Sequence, residues 1–280
     1  MTFAPTLMFF WDYDTQWGGD RSRSPGGPKA WGAAEFDNTE RLLELHAAYD
    51  VPACFAVVGA AALSGERPYH DPAQIRRIAL AGHEVASHGL EHEWLPGVGW
   101  RRLREILRRS KDALEQCIGG PVVTFVPPYN QPFDHVPSWS FSWSERWHAG
   151  SDRIDVTRLC AGLAEAGYRV CRVSYRPMHL RLADRLLGRR VDGPVLPVDI
   201  AGVTCVRLNA PAGFGADALE MVTRCATLGG LVVVYGHPHS LRSGNGQDER
   251  WLRPFLERVR LLRAQGRLRY ALPRQLLAWG

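Results

Sequence analysis

The chain has 280 residues, 45% hydrophobic and 22% charged, the balance of an ordinary soluble globule. No run of 18 apolar residues occurs, which argues against a membrane-spanning helix. The net charge of +5 comes almost wholly from arginine, and the cluster Arg101, Arg102, Arg104, Arg108 and Arg109 reads as a solvated helix face rather than a nucleic-acid surface.

Residues 7–11 are a short apolar run followed by Asp12-Tyr13-Asp14, which predicts a buried strand with acids at its C-terminal end. Residues 21–28 are rich in Ser, Gly and Pro and read as a loop. Residues 35–49 have helical periodicity, with Asn38 or Thr39 as the expected cap. A second strand is predicted over 54–59 and a helix over 72–81, ended by Gly82. The third strand, 83–87, carries His88 and His92 just past its end. An arginine-rich helix over 100–117 stops at Gly119-Gly120, and a fourth strand over 122–126 leads into Pro127-Pro128-Tyr129-Asn130. After an irregular aromatic stretch, 131–150, come a helix over 156–166, a strand over 168–174 and a less regular arm to 199. Strands over 203–208, 231–235 and 268–271 then alternate with helices over 217–226 and 251–264, and 274–279 makes a last helical turn or two.

Short apolar strands alternating with helices imply β-α units and a mostly parallel sheet. With seven or eight strands and no composition break, residues 1–280 read as a single irregular (β/α) barrel domain. Such barrels keep their chemistry on loops at the C-terminal ends of the strands. Four predicted strand ends carry polar, ligand-capable or turn-making residues: Asp12/Asp14, His88/His92, Pro127 to Tyr129, and His237/His239.

His88 and His92 stand four positions apart, so they can share one helical or turn face. Two imidazoles make only part of a site, because a catalytic zinc usually takes three protein ligands and keeps one position open. Asp14 supplies the missing carboxylate. Mixed N and O ligands suit Zn²⁺, with Co²⁺, Fe²⁺ and Mn²⁺ as alternatives. Such an ion lowers the pKa of its water from about 15.7 toward about 7. Asp12, two positions from Asp14 on an extended strand, faces the same side and is the natural general base. Cleaving an amide also needs a proton for the departing amine, and a histidine is suited because its pKa lies near working pH. His237 is the first choice and His239 the competitor, since the proline between them aims them differently.

Asp12-x-Asp14, His88-x-x-x-His92, Val126-Pro-Pro-Tyr129 and the strand-end His237 resemble, in order, the motifs of the polysaccharide deacetylase family (NodB homology, carbohydrate esterase family 4). The resemblance spans residues 7–279. The Asp-x-Asp form is similar to the branch with peptidoglycan-deacetylase-like and lipid-linked aminoarabinose deformylase members. It implies a distorted (β/α)7 barrel that hydrolyses N-acyl, sometimes O-acyl, groups on sugars. By that resemblance Asp12 is the base, Asp14, His88 and His92 hold the metal, the Tyr129 backbone N–H helps hold the oxyanion, and His237 is the acid. There is one clear departure: Val126 stands where many members have an arginine that orients the catalytic aspartate. Asp12 must then be held by another group, or the activity is altered. The family's fourth motif has no clear counterpart.

Phe133, Trp139, Phe141, Trp143 and Trp147 could stack on sugar rings or hold a long loop down by burial. Trp17 and Trp94, each near a metal-site residue in sequence, read as pocket wall. Asp248 reads as a helix cap and His83 as structural. The six scattered cysteines and the N-terminus without a basic, apolar leader suggest reduced thiols and a cytoplasmic setting. The expected substrate is an N-acylated sugar or saccharide, free, nucleotide-linked or lipid-linked. The competing readings are a hydrolase of a non-sugar C–N amide on the same scaffold and a non-catalytic carbohydrate-binding barrel.

Overall fold

The structure is a computed structural model that describes residues 3–22, 24, 26–130, 155–174, 186 and 194–279. The aromatic cluster from Phe133 to Trp147, His148 and most of the arm before residue 199 lie outside the described residues.

Nine strands form one sheet among the described residues: β1 (Thr6–Tyr13), β2 (Cys54–Val57), β3 (Glu84–Ser87), β4 (Thr124–Phe125), β5 (Val170–Val173), β6 (Val198–Ile200), β7 (Val203–Arg207), β8 (Leu231–Gly236) and β9 (Arg269–Tyr270). Their order is β6-β7-β5-β4-β3-β2-β1-β8, with β9 also pairing to β1. Every pairing is parallel except β6 with β7. The curled α/β sheet matches the expected barrel class. β6 is an addition, because the sequence reading placed no strand in that arm.

Among the described residues the α-helices are α1 (Thr15–Asp20), α2 (Gly32–Tyr49), α3 (Pro72–Leu80), α4 (Trp100–Ile118), α5 (Val156–Glu165), α6 (Ala216–Leu228) and α7 (Glu249–Ala264). α1 was not anticipated, because its Gly18-Gly19 pair reads as loop. α2 starts at Gly32, so the expected cap at Asn38 or Thr39 is corrected: both lie inside the helix and are buried. Asn38 instead donates from Nδ2 to the Pro238 carbonyl at 2.8 Å, tying α2 to the turn between His237 and His239. Asp248 caps α7, accepting from the Arg250 N–H. The five α4 arginines are exposed, and Arg102, Arg104, Arg108 and Arg109 pair with Glu105, Glu165 or Asp112, as a solvated face should.

Strand alternation explains how the site is assembled. Successive side chains point to opposite faces of a strand. On β1, Leu7, Phe9, Trp11 and Tyr13 pack in the layer between sheet and helices, whereas Met8 and Phe10 join the inner cluster. Cys54, Ala56, Ala86, Val170, Val206, Val233 and Tyr235 from other strands, and Val126 just past β4, belong to the same cluster. Continuing each row by two positions puts Asp12 on β1, His88 past β3, Arg172 on β5 and His237 past β8 on the inner face. The parallel pairing sets the C-terminal ends of these four strands at one edge.

Candidate active site and metal centre

Asp14, His88 and His92 are buried, and one ligand-capable atom from each lies within 4.8 Å of the others. His88 Nε2 and His92 Nε2 stand 3.3 Å and 3.5 Å from Asp14 Oδ1. His88 donates from Nδ1 to the Val126 carbonyl at 2.7 Å, because a carbonyl can only accept. That bond fixes the tautomer and leaves the Nε2 lone pair directed at Asp14. Asp14 Oδ1 is buried without a hydrogen-bond partner. An orphaned carboxylate oxygen facing two imidazole nitrogens is the arrangement a cation would satisfy. The residues present therefore fit a divalent metal.

The local backbone builds this group. The His88–His92 segment is an irregular turn, with Gly89 at φ 79° and His92 at φ 59°. Glu93 Oε2 accepts the N–H groups of Leu90 and Glu91, both at 3.0 Å, and so closes the turn. At Asp14, the Glu35 carboxylate accepts the N–H groups of Asp14 and Thr15. These are orphan donors at the start of α1. Thr15 sits at φ 54°, a region that costs a β-branched residue energy. Gly18 is required, because a Cβ there would lie 2.5 Å from Asp14 Cβ.

Asp12 is held from an unexpected quarter. Arg172 donates from both terminal nitrogens to its two carboxylate oxygens, at 2.8 Å and 2.6 Å. The guanidinium is sandwiched between Phe10 and Tyr235, at 5.0 Å and 4.9 Å from the ring centres. Asn130 Oδ1 accepts a further bond from it at 3.0 Å, and Asn130 in turn donates to the Tyr235 hydroxyl. Burial works to raise the Asp12 carboxyl, but the Arg172 charge, with help from His88, holds it below the ordinary carboxylate range. Sequence reasoning missed Arg172, although a lone arginine in the apolar strand Val170–Val173 was a signal: a buried charge needs a partner. It also missed Glu35.

The remaining electrostatics separate the histidines. For Asp14, burial again opposes ionisation, and His92 and His88 overcome it and hold the group ionised. Burial pushes His92 down to about 4. Burial works to lower His88, but the neighbouring Asp14 and Asp12 carboxylates together outweigh it and raise the group. His237 Nε2 lies 4.0 Å from Asp12 Oδ2, and its side chain is 24% exposed against 4% for Asp12. His239 is different: burial pushes it down to about 3, and its ring stacks on Trp31 at 4.1 Å between centres. Tyr129, at φ 59°, sets its ring edge against His92 at 4.5 Å. Trp94 packs on Tyr129 at 5.2 Å, whereas Trp17 packs on Tyr69 and His70. Every expected site residue is therefore described, and Asp12, Asp14, His88, His92 and His237 converge.

Fold and site together define an α/β barrel with a buried Asp-His-His group at the C-terminal edge of its strands. Residues 30–137 match the family model for polysaccharide deacetylase, a span that includes His88, His92 and Tyr129. A chitooligosaccharide deacetylase of Sinorhizobium fredii is 34% identical over 99 residues, 35% of this chain and 43% of that protein. The aligned region thus spans less than half of that relative. A Mycobacterium smegmatis structure assigned to the polysaccharide deacetylases superimposes with a TM-score of 0.64 at 22% identity, covering 99% of this chain and 93% of that one. PuuE allantoinase superimposes at 0.60 with 15% identity, covering 95% and 87%. The likeness to the polysaccharide deacetylases therefore covers residues 30–137 in sequence, and nearly the whole chain in fold. No helix among the described residues is long and apolar enough to cross a membrane.

Proposed function

We propose that this protein is a metal-dependent hydrolase that removes an N-acyl group, acetyl or formyl, from an amino sugar or saccharide. The observation that carries the reading is the buried Asp14–His88–His92 group with Asp12 and His237 beside it. The family match and the chitooligosaccharide deacetylase relative support an acylated saccharide as substrate.

Asp14, His88 and His92 would hold the divalent ion, most simply Zn²⁺. Such an ion polarises an acyl carbonyl and acidifies water at the same site. Asp12, kept ionised and oriented by Arg172, takes the proton from the attacking water. The water oxygen bonds to the acyl carbon as the C=O pair moves onto oxygen, where the Tyr129 N–H contributes a hydrogen bond. That pair then returns, the C–N bond breaks, and His237 delivers a proton to the departing nitrogen. The products are the carboxylic acid and the free amine. His237 is the most exposed of the five side chains.

The test is a metal-supplemented screen of N-acetyl and N-formyl amino sugars, free and nucleotide-linked, read by released acetate or formate. Non-sugar amides belong in the same screen, because one fold neighbour is an allantoinase. Release from a sugar, abolished by Asp12→Asn, supports the reading. Release only from non-sugar amides replaces the substrate class. No release from any compound by metal-loaded protein would leave the binding-barrel reading standing.

A further inference from the structure

The loop after His237 carries a contact that the proposed reaction has not used. Gln247 Oε1 lies 2.6 Å from the backbone nitrogen of His237 and 3.0 Å from its ring Nδ1. A backbone N–H can only donate, so the atom it meets must be the amide oxygen and not the amide nitrogen. The same oxygen offers only lone pairs to the ring, so Nδ1 must carry the hydrogen. Nε2 is then the nitrogen left to exchange protons, and it is the one 4.0 Å from Asp12 Oδ2.

The loop is built to deliver this side chain. The Gly246 carbonyl accepts the Phe214 N–H at 2.9 Å. Gly213 permits that approach: it has φ 103°, and a Cβ there would lie 2.4 Å from the Gly246 oxygen. Asn245 Oδ1 accepts the Gln247 N–H at 2.7 Å, and Ser243 donates to the Ser240 carbonyl at 2.6 Å.

We infer that Gln247 is a positioning residue that locks His237 in the Nδ1–H tautomer and aims Nε2 at the reacting centre. The inference rests on His237 acting as the acid of the proposed deacylation. A neutral amide does this without placing a second carboxylate against the ring. The Ser243–Asp248 segment thus contributes to catalysis through His237.

The test is the tautomer itself, read by long-range ¹H–¹⁵N correlation of the histidine rings above pH 8, with the His237 signals identified by their loss in His237→Ala. The wild type should show His237 protonated at Nδ1, the minor form of free imidazole. Gln247→Ala should convert it largely to Nε2–H, and Gln247→Glu, which keeps an acceptor oxygen, should restore Nδ1–H. A wild-type ring protonated at Nε2, or a tautomer unchanged in Gln247→Ala, overturns the inference. This readout needs no substrate, so it stands apart from the fate of the deacylase reading. Where deacylation is measured, Gln247→Ala should lower kcat about 10- to 100-fold with KM within about twofold, and Gln247→Glu should recover part of it. A wild-type kcat in Gln247→Ala overturns the catalytic consequence.

Discussion

Arg172 and Asp12, 160 positions apart in sequence, form a two-pronged ion pair inside the barrel, with N···O distances of 2.8 Å and 2.6 Å. Val126 removes the arginine that the family resemblance led us to expect beside Pro127, and Arg172 supplies a guanidinium to the same aspartate from β5. Removing one partner of a buried pair leaves an uncompensated charge, which typically costs about 3–5 kcal/mol. Arg172→Met should lose about that much in denaturant unfolding and should also lose hydrolysis. Arg172→Lys keeps the charge but loses the planar fork, so it should fold and turn over at least about tenfold more slowly. Full activity in Arg172→Lys would show that orientation of Asp12 does not matter.

The two histidines after β8 should separate cleanly. His237→Ala should lower kcat by about 10²- to 10⁴-fold, the usual contribution of a general acid. His239 stays neutral, since burial pushes it to about 3, and its ring is stacked on Trp31. His239→Ala should therefore lower stability more than it lowers kcat. The reverse pattern would reassign the acid.

Glu35 braces the Asp14 corner of the candidate metal site. Its carboxylate holds the N–H groups of Asp14 and Thr15. Glu35→Ala should weaken zinc binding about 10- to 100-fold, while Glu35→Gln, which keeps one acceptor, should lose less. Competition against a chromophoric chelator measures both. Equal affinity in all three proteins would dismiss the brace.

Acid should destabilise the fold from about pH 6.5 downward. His46 is buried, donates from Nδ1 to the Val51 carbonyl at 2.7 Å and accepts from Trp11 Nε1 at 2.8 Å. Burial pushes it from 6.5 down to about 3, and pushes His83 down to about 4. The unfolded chain takes up protons on these rings near 6.5, so between that pH and the folded values it binds more protons than the native state. Stability then falls as pH falls, by about 2 kcal/mol per such histidine at pH 5. His46→Gln should flatten the urea midpoint between pH 7 and pH 5; an unchanged slope would contradict this.

The barrel class was legible in the sequence, as was the clustering of polar, ligand-capable or turn-making residues at four strand ends. The β-α alternation predicted the sheet, and the period of two predicted that Asp12 and Asp14 face one side. The missing parts were long-range or disguised. Arg172 shows in the sequence only as a charge out of place in an apolar strand, with nothing to say which of several acids it meets. Glu35 looks like any acid in a first helical turn, where the dipole alone accounts for it. Gln247 sits in a polar loop whose register against His237 depends on Gly213. The misplaced cap of α2 has a local cause: Pro28 and the glycines before it read as loop up to the helix proper, hiding the start at Gly32.

Bound metal tests the central claim most directly. Protein purified with zinc supplied, desalted and assayed by elemental mass spectrometry should carry one transition-metal ion per chain. Asp14→Ala and His88→Ala should carry almost none, while Asp12→Asn keeps it. A wild-type protein without metal, or ligand variants that retain it, would contradict the account.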